Sequence, residues 1–420
     1  MNTFYRIFAA ILLISFNPLE AKTFQNDELM RIEQESDGVK DSLETLSKSG
    51  VFYSIQQKAE GFRFDPFGKD LSDTSLMEFQ FSFVPFVGTN GMNSGEVVND
   101  YSVNLLGGYS AGTRKLEMAG LFNINRSDMT GVQLAGLFNQ VGGKVDGVQL
   151  AGLFNSNLDS VKNSVQLAGL MNFTTGPVDG VQLAGVVNFS PKNVTGVQVA
   201  GVTNFSAADV EGTQVAGVLN FAAKNLKGSQ VGLVNFANKV DGFQLGLINY
   251  SDSTSGIPVG FLSFVRAGYH TLEFSVNEVV PMNLAFRTGK REFYNIFFAG
   301  IRPEWDDQVT WTFGYGLGTS PRLGKKTYLN IEVSSEQLSQ GGVHALNLIN
   351  RGYLGAEFQA TKNFAIFAGP TVNFRVYDSS YAFHPELFTY TNMSVHNDVY
   401  YPEDLGSQLW FGFKAGFRFL

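Results

Sequence analysis

Between about residues 115 and 250 apolar and polar positions alternate inside a unit that recurs. It reads GVQLAGLFN at 131–139 and 147–155, SVQLAGLMN at 164–172, GVQLAGVVN at 180–188, GVQVAGVTN at 196–204 and GTQVAGVLN at 212–220. Two shortened copies, SQVGLVN and FQLGLIN, follow, and residues 116–123 form a divergent first copy with Glu117 in the Gln place. Successive Gln residues lie 16 or 17 apart, falling to 14 at the end. So short a fixed period holds one small supersecondary unit. Within a unit Val197, Val199, Gly201, Thr203 and Phe205 fall on one side of an extended chain, and Gln198, Ala200, Val202 and Asn204 on the other. Period two predicts strands, joined by turns of four to six residues rich in Asp, Asn, Lys, Gly and Ser.

Two architectures satisfy this pattern. In the first, the fold is all-β and each unit is one strand of an antiparallel transmembrane β-barrel of about 20 strands spanning 76–420. Gln133, Asn139, Gln149, Asn155, Gln166, Asn172, Gln182, Asn188, Gln198, Asn204, Gln214 and Asn220 would then line a polar lumen. In the second, each unit is a coil of a β-solenoid joined to a smaller barrel, the Gln and Asn columns are stacked ladders, and the mid-unit Gly marks a corner.

Aromatic-rich alternating segments flank the repeats: 76–87 and 101–110 before them, then 258–265, 271–276, 284–288, 293–301, 309–318, 327–334, 353–360, 364–375 and 409–419. These tip the balance towards the large barrel. Short connections at 266–268, 289–292 and 361–363 have the parity of periplasmic turns, and 335–352 and 377–407 that of long extracellular loops. In the last strand Leu409, Phe411, Phe413, Ala415, Phe417 and Phe419 share a face, with Lys414 and Arg418 opposite. The loop holds Tyr377, Tyr381, Phe383, Phe388, Tyr390, Tyr400 and Tyr401, a density of aromatics that marks a contact surface.

The N-terminus changes the compartment. Arg6 precedes an apolar run from Ile7 to Phe16, with Ala21 as the small residue before cleavage, so 1–21 reads as a signal peptide and 22–75 as a periplasmic arm or plug. Composition narrows the classes further. The 420 residues carry a net charge of −8, only 16% charged residues and no Cys, which excludes disulfide scaffolds, cysteine-held metals and a nucleic-acid partner.

The segments FSFVPFVGTNG, YSVNLLGGYSAG, the GVQLAGLFN units and IPVGFLSFVRAGYHTLEFS resemble a family of surface-repeat proteins predicted in Bacteroidota, with related repeats in spirochaetes. The resemblance covers roughly residues 78 to 320. It implies an outer-membrane or surface location and brings no catalytic residue with it.

No catalytic, cofactor or metal site is expected. Gly108–Gly112 matches G-x-S-x-G around Ser110, but lies between strands rather than at a strand-to-helix turn. His270, His344, His384 and His396 show no metal-ligand spacing, and Glu304, Asp306 and Asp307 read as a solvated turn. The expected protein is a non-enzymatic outer-membrane barrel of a Gram-negative bacterium, porin-like towards small polar solutes. The alternative is a surface interaction protein that displays the aromatic loop. Its partners would be the outer-membrane bilayer, the barrel-assembly machinery and an unknown solute or surface partner.

Overall fold

The structure, a computed structural model, describes residues 74–303, 309–388, 394–400 and 404–420. The expected signal peptide and nearly all of the expected arm lie outside the described residues. The fold is all-β, but the repeats do not enter a barrel: a β-solenoid of about 10 turns precedes a closed 8-strand barrel. A barrel of about 20 strands is therefore not what forms.

The reason lies in the pairing. Each unit bends at its Ala-Gly step into a longer and a shorter strand, such as Val194–Ala200 and Thr203–Ser206. Every strand then pairs in parallel with its equivalent one period on, Gln182 beside Gln198 and Asn188 beside Asn204. Side-by-side meander strands would pair antiparallel, whereas a uniform period makes successive coils translationally equivalent. The segments 76–87, 101–110 and 258–265 join this stack rather than a barrel wall: Ser75–Val84 pairs in parallel with Val97–Asn104, Gly107–Ser110 opens the second side of that coil, and Pro258–Val259 and Leu262–Val265 pair in parallel with the coil before them.

The corner also revises the face assignment. Val202 shares the parity of Gln198, yet it is 40% exposed, because the bend at Gly201 turns it outward. Gly is required there, since a Cβ on Gly201 would stand 2.1 Å from the Gly185 carbonyl oxygen of the coil below. Where the shortened copies lack the Ala, the corner absorbs the loss and the Gln and Asn columns stay in register.

The barrel uses the remaining eight segments: Thr271–Asn277, Met282–Lys290, Phe293–Pro303, Val309–Thr319, Thr327–Gln340, Asn347–Gln359, Phe364–Asp378 and Leu405–Phe419. All neighbours are antiparallel, and the first strand pairs with the last, Leu272 opposite Phe419. A short strand, His396–Tyr400, adds to the upper part of the last one. The expected long loop at 335–352 shrinks to 341–346, because the flanking strands run on to Gln340 and from Asn347.

Candidate functional site

Three features stand out: the interior of the solenoid, the interior of the barrel, and the outer surface that both present.

Inside the solenoid, the Gln and Asn columns form two ladders of fully buried amides. Each Gln Nε2 donates to the Oε1 of the Gln one coil earlier, from Gln244 back to Gln133, at 2.7–2.9 Å. Gln133 donates at 2.9 Å to Glu117, whose carboxylate can only accept and so closes the ladder. The Asn ladder runs the other way. Asn123 Nδ2 donates to Asn139 Oδ1 and so on to Asn249, which ends on Ser263 Oγ at 3.3 Å. The second N–H of each Asn reaches a backbone carbonyl of the next coil, as from Asn204 to Val215 at 2.8 Å. All twelve expected lumen-lining residues therefore sit inside the coils, bonded to one another. Burial pushes the Glu117 carboxyl above its ordinary range, partly offset by hydrogen bonds led by that from Gln133.

Inside the barrel, alternation aims charged side chains inward, and they pair with one another. Glu273 contacts Arg287 at 2.6 Å, Arg418 at 2.8 Å and Lys414 at 2.9 Å. Glu332 takes Arg287 through both oxygens at 3.1 Å, Arg418 at 3.2 Å and the Tyr294 hydroxyl at 2.9 Å. Glu357 pairs with Arg418 and with Arg291. A cavity of about 20 Å³ beside Glu273, Glu332, Arg351 and Lys414 remains, room for about one water.

Outside, the barrel wall is mostly apolar. Phe274, Leu284, Phe313, Ile331, Leu354, Val372 and Phe411 are each exposed, and the alternation predicted for the last strand holds, with Phe413, Phe417 and Phe419 outward and Arg418 fully buried.

The aromatic loop is only partly described. Tyr377 lies against the Arg375 guanidinium and meets His384 edge-on; Tyr381 packs on His384 and Phe383; Phe388 packs on Trp410. Phe383 is 77% exposed. Burial holds the His384 imidazole below its usual range. Tyr390 and Tyr401 lie outside the described residues, as do Glu304, Asp306 and Asp307, and the side chain of Tyr400 is likewise undescribed. Ser110 is buried in the first coils and donates to Asn125 Oδ1 at 3.1 Å. His270 bonds the Val265 carbonyl and packs on Phe264 and Phe286, wedged where solenoid meets barrel. Among the described residues no group of three His, Asp or Glu side chains is placed to hold a metal.

Sequence reasoning missed that junction. The last coil sits on the outer wall of the barrel, on its second and third strands: Asn295 accepts from the Ser263 amide at 2.9 Å and donates to the Gly260 carbonyl at 2.7 Å, while Thr288 bonds the Ser263 carbonyl. The signal was present in Asn295 and Thr288, polar residues at outward positions of otherwise apolar strands. Comparison with protein-family models, with curated proteins and with solved structures gave no match.

Proposed function

We propose that this chain is a non-enzymatic outer-membrane protein whose eight-stranded barrel anchors the repeat solenoid to the membrane, as a surface interaction protein rather than a channel. One observation carries the reading: the barrel is inside out, with buried ion pairs within and a mostly apolar wall without. A water-soluble barrel would place these the other way round, and lipid is the neighbour that rewards an apolar exterior. An eight-stranded barrel has an interior just wide enough for its own side chains. With the bore filled by Glu273, Arg287, Glu332, Glu357, Lys414 and Arg418, passage of solutes has no path, and porin-like transport drops out of the proposal.

The export signal at 1–21 and the outward aromatic strand at the C-terminus support the outer membrane as the compartment. On this reading the loop carrying Phe383 faces the cell exterior. Proteoliposomes holding the full chain are expected to take up no more small sugar than empty liposomes. Uptake that rises with the protein-to-lipid ratio would restore the channel and remove the anchor as the barrel's main role.

A further inference from the structure

The solenoid is itself two-sided. Between each Gln and the residue after its Asn, no repeat unit carries a charge. That stretch forms one long edge of the stack, the corner residue running from Leu121 through Leu137, Leu170 and Val202 to Phe261. The opposite edge collects the charges, among them Asp146, Lys162, Lys192, Glu211 and Lys227. Beside the apolar corner the Leu134 column and the Ala-Gly steps make a furrow of about 970 Å³. Beneath it lie the amide ladders, so around this edge the solenoid repeats the inside-out order of the barrel.

Three observations select the occupant. First, the edge runs without a break into the barrel's apolar wall: the Phe261 ring lies 5.6 Å from Phe297 and 4.6 Å from Tyr315. Second, in the full-length units the corner leaves no backbone donor bare. Gly201 donates to Ala184, and Val202 and Thr203 both donate to the Val186 carbonyl, so the bend can meet hydrocarbon without an unpaired N–H. Third, at about 4.8 Å per coil the edge from Leu121 to Phe261 is roughly 43 Å long, more than the hydrocarbon thickness of about 30 Å. It fits along a bilayer better than across one.

We infer that the solenoid lies along the bilayer surface with this edge among the lipid acyl chains and its charged edge in water. The inference rests on the barrel being lipid-embedded, and the test separates the two. The chain has no cysteine, so single cysteines are placed in the full-length protein at Leu170 and Val186 on the edge, Lys192 and Asp209 on the opposite side, and Leu284 and Val372 on the barrel wall. Each is labelled with an environment-sensitive fluorophore in phosphatidylcholine vesicles and quenched by nitroxide-bearing lipid or by aqueous iodide.

Positions 170 and 186 are expected to follow 284 and 372, with lipid quenching several-fold above iodide quenching, and 192 and 209 to show the reverse. If 170 and 186 answer to iodide while 284 and 372 answer to lipid, the barrel is an anchor and the solenoid stands clear of the bilayer. If neither quencher reaches 170 and 186, a protein covers the edge and the inference fails. If 284 and 372 also answer only to iodide, the anchor fails and takes the inference with it.

Discussion

At the scale of single residues, Glu117 is the most informative departure from the repeat. Every later unit places Gln at that column, whose N–H must find an acceptor one coil earlier; the first unit has no earlier Gln and supplies a carboxylate instead. Its burial raises the folded-state pKa above the unfolded value of about 4.3. The stabilising contribution is then fully present below the unfolded value and is lost as pH rises through the folded one. Amide protection across residues 112–125 is expected to weaken as pH rises through that window, and Glu117→Gln to abolish the dependence while leaving coils beyond 150 unmoved. Hydrogen exchange at several pH values measures both.

At the scale of elements, the sequence carried more of the barrel than of the solenoid. The eight alternating segments between 271 and 419 each became a wall strand, because period two with aromatic residues on one side describes an antiparallel strand wherever it lies. The inward Lys414 and Arg418 were legible for the same reason. For the repeats, alternation gave the strands and the identical Gln and Asn columns, but parallel or antiparallel pairing is not written in a single strand's pattern. The decision rests on Gly201 and its equivalents, where close approach of a carbonyl from the neighbouring coil forbids a side chain. The last coil's seat on Asn295 was illegible because it joins residues far apart in sequence. Equivalence of the coils yields a test: excising 180–195 joins Asp179 to Gly196 and should remove one coil, leaving both ladders continuous. Thermal unfolding should stay cooperative and scattering should show a solenoid shorter by about 4.8 Å.

At the scale of the whole molecule, two structures that each bury polar networks and turn apolar side chains outward, the barrel over its wall and the solenoid along one edge, are fused. The barrel closes its sheet through charges drawn from five strands: Glu273, Arg287, Glu332, Glu357 and the Lys414–Arg418 pair. Removing one carboxylate strands cations already out of water, which costs about 3–5 kcal/mol. Glu332→Ala is expected to destabilise the barrel by that order, read as a fall in the midpoint of heat-dependent gel mobility, while Gln198 and its neighbours keep their exchange protection. Loss of protection in the solenoid as well would mean that the two parts unfold as one unit.

The opposed directions of the two ladders bear on how such a protein changes over generations. Amide dipoles aligned in one sense along a stack would add up, as peptide dipoles do along a helix, and leave partial charge at both ends. Here the Gln column points one way and the Asn column the other, so each added coil contributes nearly nothing to the axial moment. Copy number is left free of electrostatic penalty. Duplication or loss of one unit alters reach alone, and selection can tune that reach coil by coil without redesigning either end.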